Sequence, residues 1–512
     1  MKSDRSLRAR RTGRNTEAWP PQDPPDAEAP PAPALTLAPP PPSGPFPSTA
    51  PRTVPRPRHH GLDHLGSSTV DYQVVDELRQ RVAAGLAEHQ KADEAAGRPR
   101  MALADEKVYA QTLIRDALGT HSEERLRAGI APLELDDEEA LSRAVYDGMY
   151  KLGRLQRHLD SLDYTDIHVN RFDLVKATLG DGSRVDLEPV ADSDEELQEL
   201  VRLAAARLGS SERRFDEGSP ELDLALPDGE RLSAVHRSLA GATALSIRRS
   251  RFADVTLADL RDKGTIDAGL ERFFEAAVSS RKSIVIGGET GSGKTTFLRA
   301  LGSAIGKDER IITVEKAKEL FFESTPERHT NVVALEARPP NTEGVGEVTL
   351  AQLVRRTLRM NPDRVIVGEV LGPEILDMLT AMSQGNEGSL STIHAASSEG
   401  VFQRIATYAL RSDEHLPFRE SAALIAGAID FVVFIRMIDE RHCGGEVRRY
   451  VSSVREIIGL TDSGELASNE VFRARSRQDP RAVPGDPIRC IDDLVLHGYE
   501  RVLLDRKEGW WD

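Results

Sequence analysis

The run Gly288-Glu-Thr-Gly291-Ser-Gly293-Lys294-Thr295 brings together the residue types that hold a phosphate chain. Gly288 and Gly293 have four residues between them, and a lysine and two threonines, Thr295 and Thr296, follow. Glycine lets the backbone curl until its N–H groups face phosphate oxygens. A helix N-terminus just downstream adds partial positive charge. In that chemistry Lys294 reaches the β- and γ-phosphates, and the Thr295 hydroxyl ligates Mg²⁺. An apolar run at residues 283–286 and a helical run after the loop supply the context the pattern needs.

Three further runs place ionisable groups at the ends of apolar strands. Arg364-Val-Ile-Val-Gly368-Glu369 ends in a carboxylate that would project beside the phosphates, to orient water or to hold Mg²⁺ through water. Ile311-Ile-Thr-Val-Glu315 ends likewise, and Glu319 follows four residues on. Taken alone, those two acids fit a solvated charged turn equally well. Gly388-Ser-Leu-Ser-Thr392-Ile-His394 sets a hydroxyl and an imidazole two residues apart, hence on one strand face. A lone histidine there is more often structural; beside a phosphate loop it can orient water or sense nucleotide.

The elements that must position these groups alternate from Asp267 onward. Strand candidates at 283–286, 311–315, 364–367 and 390–393 interleave with helix candidates at 295–305, 350–360 and 375–383. Such alternation predicts a largely parallel sheet with helices on both faces. Upstream, residues 167–169, 174–178, 222–226, 232–236 and 244–247 read as short strands around a helix at 197–208, with a hairpin turn at Pro227-Asp228-Gly229. Further upstream the period becomes helical: Val75, Leu78, Val82 and Leu86, then Val108, Leu113, Ile114 and Leu118, then Leu141, Val145, Met149 and Leu152. These predict a three-helix bundle bearing no cluster of reactive residues. Residues 20–57 hold 16 of the 30 prolines and cannot build a regular ladder or a core. His59, His60 and His64 lack the carboxylate or thiol frame of a metal site.

Composition bounds the rest. The chain has 512 residues, room for two or three domains of roughly 150 residues each once the tail is set aside. Its net charge is −16, although residues 1–60 are net basic. So acidic a body argues against stable nucleic-acid binding. Cys443 and Cys490 are too few for a disulfide framework or a four-thiolate metal site, and a reducing cytosol is the simplest fit. The arginine pair Arg10-Arg11 is followed by polar residues and proline rather than by the apolar stretch of an export signal. The most apolar stretch, 422–435, is interrupted by Asp430 and is shorter than the ~18 residues a membrane helix needs. The expectation is a cytoplasmic protein that meets the membrane only through partners.

Two longer stretches stand between and around these runs. One is Ala337-Arg-Pro-Pro-Asn-Thr-Glu-Gly-Val-Gly-Glu347-Val-Thr-Leu; the other is Leu353-Val-Arg-Arg-Thr-Leu-Arg359-Met-Asn-Pro362-Asp363, leading into Glu369. Upstream come Thr165-Asp-Ile-His-Val-Asn170, Phe215-Asp216-Glu217-Gly-Ser-Pro220, Leu226-Pro-Asp-Gly-Glu-Arg231 and Leu245-Ser-Ile-Arg248-Arg249. In this order they resemble the secretion ATPases of the type II/type IV superfamily, and within it the CpaF/TadA-like motors of Tad (Flp) pilus assembly. The resemblance spans about residues 72–475.

It implies an α/β chain with a RecA-like P-loop ATPase core at 261–475. A hinge linker at 250–260, a smaller α/β domain at 161–249 and a helical bundle at 69–160 would precede that core; outside the resemblance lie the Pro-rich tail at 1–68, expected to be disordered from its composition, and an extension at 476–512. It implies ATP and Mg²⁺ as cofactors, with Gly288, Thr290, Gly291, Ser292, Gly293, Lys294, Thr295 and Thr296 around the phosphates. Glu369 would be the catalytic carboxylate and, with Thr295, a metal ligand. Glu315 and Glu319 fall in an acidic box, and Thr392 and His394 in a histidine box. Arg338, Arg355 and Arg359 would stabilise γ-phosphate charge, from a neighbouring subunit in a homo-hexameric ring, and Arg248 would approach nucleotide as the smaller domain closes. The implied work is Mg-ATP hydrolysis that powers pilus assembly or secretion, with polytopic platform proteins as partners at the inner face of the cell membrane.

The sequence departs from the family pattern at Lys316, where aspartate is usual, and at Asn386, where the histidine box begins. It departs again at Val370-Leu371-Gly372-Pro373, where Val-Arg-Gly-Gly is frequent. Two alternatives therefore stand beside the pilus motor: a type IV conjugative or effector secretion ATPase, and a nucleotide-binding scaffold with little hydrolysis.

Overall fold

The computed structural model describes residues 70–511 apart from 162, 181, 209–212, 228, 250–253, 342–343 and 477. The Pro-rich tail with its three histidines lies outside the described residues, as do the first positions of the expected hinge.

Helices α1 (Tyr72–Ala95), α2 (Leu103–Arg127) and α3 (Leu135–Tyr150) pack as one bundle, and the short α4 (Gln156–Asp160) follows. Val75, Leu78 and Val82 of α1 meet Ala110, Ile114 and Leu118 of α2 and Leu141 and Val145 of α3 in one apolar cluster. Val108 is exposed, against expectation, because the buried face of α2 is phased on Ala110, Ile114 and Leu118.

The first sheet comprises β1 (Tyr164–Arg171), β2 (Leu174–Leu179), β3 (Arg184–Leu187), then, after helix α5 (Asp194–Arg207), β4 (Glu221–Ala225), β5 (Arg231–Val235), helix α6 (Arg237–Ala240) and β6 (Ala244–Arg248). All its pairs are antiparallel, in the order β3-β2-β1-β6-β5-β4. Alternation puts Ile167, Val169, Leu222, Leu232, Leu245 and Ile247 on one face, where they bury Leu197 and Val201 of α5. Ser193 starts that helix by accepting the Glu196 N–H.

After α7 (Leu257–Asp262) and α8 (Ala268–Ser279) the second sheet begins with β7 (Ile284–Gly288), followed by α9 (Lys294–Gly302), β8 (Ile311–Glu315) and β9 (Val332–Glu336). Next come α10 (Leu350–Thr357), β10 (Arg364–Val370), α11 (Ile375–Ser383), β11 (Leu390–His394), α12 (Ser398–Arg411) and α13 (Phe418–Ala428). Strands β12 (Phe431–Asp439), β13 (Val447–Leu460), β14 (Leu466–Ala474) and β15 (Ala482–Pro484), with helix α14 (Ile491–Leu496), complete it. The order is β15-β14-β13-β12-β7-β11-β10-β8-β9. From β12 to β9 every pair is parallel, and β11 separates the phosphate-loop strand β7 from the acidic strand β10, the RecA-like order. The parallel sheet is as expected; β13, β14 and β15 extend it antiparallel beyond β12, which the alternation did not announce.

Helices cover both faces. Ile284 and Ile286 enter the cluster of Phe273, Phe274 and Phe297, while Val285 enters that of Ile375, Leu379 and Val401. The apolar stretch 422–435 is divided between α13 and β12 at Asp430, whose carboxylate accepts the Ser283 N–H at 2.8 Å. Among the described residues no helix is long and apolar enough to cross a membrane. Residues beyond β14 fold back on the core. The Trp510 N–H donates to the Asp267 carboxylate at 2.6 Å, and Trp511 Nε1 donates to the Ala482 carbonyl at 2.8 Å.

Candidate functional site

β7 is buried along its length and delivers the glycine loop to the first turn of α9. Gly291 and Gly293 have φ of +76° and +93°, the left-handed region open to glycine. A Cβ on Gly288 would lie 2.4 Å from Ser292 Oγ and 2.9 Å from the Ile435 carbonyl, so no larger residue fits there. Among the described residues Ser292 Oγ is buried without a hydrogen-bond partner, an orphaned polar atom inside the loop. A left-handed glycine cradle, an unsatisfied hydroxyl and a helix N-terminus fit the phosphates of a nucleotide. Thr295 and Thr296 are half-buried in the first turn; Thr290 is exposed at the loop tip.

Lys294 is buried and donates to the Glu289 carbonyl at 3.1 Å and to His394 Nδ1 at 3.2 Å. Burial pulls its proton affinity down, opposed by the charge of Glu369. His394, at the end of β11, stands 2.9 Å by its Nε2 from Glu369 Oε1. Burial and the Lys294 charge hold His394 below the usual imidazole range against the pull of Glu369. An ammonium on Nδ1 requires that nitrogen to accept, so the ring is neutral and its Nε2–H lies on the carboxylate side. Helix α9 and strands β10 and β11 thus bring Lys294, Glu369 and His394 into one line of contacts. Thr392 does not join it: its hydroxyl donates to the Gly368 carbonyl at 2.7 Å, bracing the backbone beside Glu369.

Glu315 ends β8 beneath this line, close enough to Gly368 that a Cβ there would be 3.0 Å from Glu315 Cγ. Burial pushes its carboxyl up to about 7, although the N–H groups of Glu319 and Leu320 donate to it at 2.8 and 3.0 Å. Glu319 is turned away toward the first sheet, where Arg231 of β5 pairs with it. Buried Arg299 sits near both acids and within 5.8 Å of the Phe321 ring. Arg248, exposed at the end of β6, is close enough for its charge to act on Lys294.

The other arginines make local contacts. Arg338 Nε donates to the Gly346 carbonyl at 2.8 Å. Arg355 pairs with Asp377 at 3.2 Å, and Arg359 is exposed after α10. Among the described residues no hydrogen bond or ion pair joins these three to Lys294 or Glu369. Of the departures, Lys316 is exposed, while Asn386 is buried and donates to the Ala381 carbonyl at 3.1 Å. The Leu371 and Gly372 N–H groups both donate to the Glu374 carboxylate. Sequence reading placed Arg231 in a resembling stretch without giving it a role and passed over Arg449, since a single arginine on a strand carries no spacing signal; Arg449 Nε donates to the Gly291 carbonyl at 2.8 Å.

Residues 166–479, from within β1 to just beyond β14, match the family model described as Type II/IV secretion system protein. The chain belongs to that family. Within this secretion family it is similar to a Mycobacterium tuberculosis (strain CDC 1551 / Oshkosh) protein named for conjugal transfer, 39% identical over 271 residues, 51% of this chain and 74% of that protein. It is similar also to the type IV secretion system protein VirB11 of Brucella suis biovar 1 (strain 1330), 30% identical over 325 residues, 58% of this chain and 88% of the relative. Among solved structures, that of the VirB11 ATPase from the Brucella suis type IV secretion system in complex with sulphate is 27% identical and covers 62% of this chain and 96% of its own, with a TM-score of 0.30.

Proposed function

We propose that this chain is the ATPase of a pilus-assembly or secretion machine of the Tad/Flp type. The observation that carries the reading is the line Lys294–His394–Glu369 set against a glycine cradle with an unsatisfied Ser292 hydroxyl. Gly288 to Thr296 would hold the phosphates of ATP. Among the described residues there is no group of three or more His, Cys, Asp or Glu able to cage a metal. Mg²⁺ would therefore take most of its ligands from phosphate and water, with Thr295 and Glu369 on the protein side. Bound Mg²⁺ would neutralise charge on the phosphates. Glu369 would orient water, with His394 holding its carboxylate in place. Catalysis of this kind is mainly positioning and charge stabilisation.

For Lys294 to reach phosphate it must leave the Glu289 carbonyl and His394. Glu315 and Glu319, as the acidic box, would help place metal and water from the floor of the site. Arg248 would close on nucleotide from the smaller α/β domain, about the hinge. Arg338, Arg355 and Arg359 would act across a subunit boundary of a homo-hexamer, and polytopic platform proteins would hold that ring at the inner face of the cell membrane. Sedimentation of the full chain with ATP and Mg²⁺ tests the ring; monomer alone would count against it. Turnover of Mg-ATP by the purified chain tests the enzyme, and tight binding with no turnover would move the scaffold reading ahead.

A second reading has its own support. The relatives described above are named for conjugal transfer and type IV secretion, and the Brucella protein is covered over most of its length. A type IV secretion motor uses the same site with different cargo. The membrane protein that copurifies with the full chain from its own cells decides between the two.

A further inference from the structure

The hairpin of β12 and β13 overhangs the phosphate loop. β12 runs beside β7 as far as Gly288, which pairs with Ile435, and then continues to Asp439 with β13 returning along it. Met437 and Arg449 are cross-strand partners in that overhang. A Cβ on Gly291 would come within 3.8 Å of Met437 Sδ, and one on Gly293 within 3.2 Å of Arg449 Cδ. Arg449 is therefore packed against the loop at its two left-handed glycines. Among the described residues its only hydrogen bond is from Nε to the Gly291 carbonyl. A guanidinium carries five donors in a rigid fork, and four of these remain uncommitted on a side chain that is exposed. Arg441, close enough to oppose its charge, is already paired with Asp439, whereas Arg248, which opposes it as well, is exposed. Two like charges at one edge of a loop repel one another until an anion sits between them.

We propose that Arg449 is a positioning and phosphate-binding residue of this site: its Nε holds the Gly291 peptide, and its other donors take the polyphosphate of a nucleoside triphosphate. The proposal rests on the ATP-binding reading above. Arginine suits both tasks at once because its fork is planar and always charged, whereas a lysine offers a point charge only. The residue comes from the antiparallel part of the sheet, so it ties the β12–β13 hairpin to occupancy of the loop.

The test is calorimetric titration of the full chain with ATP, ADP and inorganic triphosphate in Mg²⁺, for the wild type, Arg449→Gln and Arg449→Lys. Glutamine should weaken ATP and inorganic triphosphate by about tenfold each, the loss of one charge-assisted contact, and ADP by less. Lysine should fall between glutamine and the wild type, and it carries the test alone where the glutamine variant does not fold. ATP affinity within twofold of the wild type in Arg449→Gln overturns the proposal. So does a loss confined to ATP and absent for inorganic triphosphate, or a lysine variant no better than glutamine. A wild type that binds neither ATP nor inorganic triphosphate removes the ATP-binding reading itself.

Discussion

Arg231, on a strand of the first sheet, is ion-paired with Glu319, which follows the buried Glu315 on the second. The two sheets touch again beside it, where a Cβ on Gly229 would lie 2.8 Å from Phe321 Cζ. The loop after β8 therefore meets both the site floor and the smaller sheet. Both partners are partly exposed, so their pairing should be worth about 0.5–1 kcal/mol. A double-mutant cycle of Arg231→Glu and Glu319→Arg, followed by urea unfolding, should return that coupling with the double reversal recovering part of each single loss. Strict additivity would mean that the pair does nothing for cohesion.

Lys294→Ala should abolish ATP binding and turnover together. Glu369→Gln should bind ATP with little change and lose about 100-fold or more in turnover, since the role proposed for this group is on water rather than on phosphate. Equilibrium binding beside steady-state rates separates the two. A Glu369→Gln variant that turns over normally would take the catalytic role away from this carboxylate.

Glu315 supplies a pH signature. Its carboxyl is raised from the ordinary 4.5 to about 7 in the folded state. A folded state that holds a proton more tightly is favoured at low pH, and that advantage is lost as pH rises through the folded value. Between pH 5 and 8 the wild type should lose roughly 2–3 kcal/mol relative to Glu315→Gln, by the conversion of about 1.4 kcal/mol per unit. Unfolding free energies at the two pH values measure it, and parallel profiles would refute it.

Two glycines should respond with opposite signs. Gly288→Ala drives a Cβ to 2.9 Å from the Ile435 carbonyl, a backbone atom that cannot turn aside. It should cost roughly 1–3 kcal/mol and ATP affinity with it. Gly119, inside α2, has nothing within 4 Å of its would-be Cβ. Gly119→Ala should stabilise by about 0.5–1 kcal/mol. Thermal unfolding of both variants checks the contrast.

The parts legible in the sequence are those with a local signal. Apolar strands closed by Glu315, Glu369 and His394 all exist, and the glycine loop sits between a strand and a helix. The parts that were not legible depend on distant neighbours. β9 is only half-buried and owes its place to pairing with β8. β13 carries Arg448 and Arg449 in an exposed overhang, so its sequence shows no clean alternation there. The turn of Glu319 toward Arg231 joins residues far apart in the chain, and no spacing rule reports it. Thr392 has the right type and phase for chemistry but is committed to the backbone of β10.

The placing of β7 has a temporal consequence. Its two neighbours are made long after it: Ile284 lies beside Leu390 on one side and Phe431 on the other. Contacts so remote in sequence close late, because the intervening chain must first give up its freedom. During synthesis the glycine loop therefore emerges from the ribosome well before the strands that shape it. A chain halted short of Phe431 has the motif without the flanking strand pair that braces it.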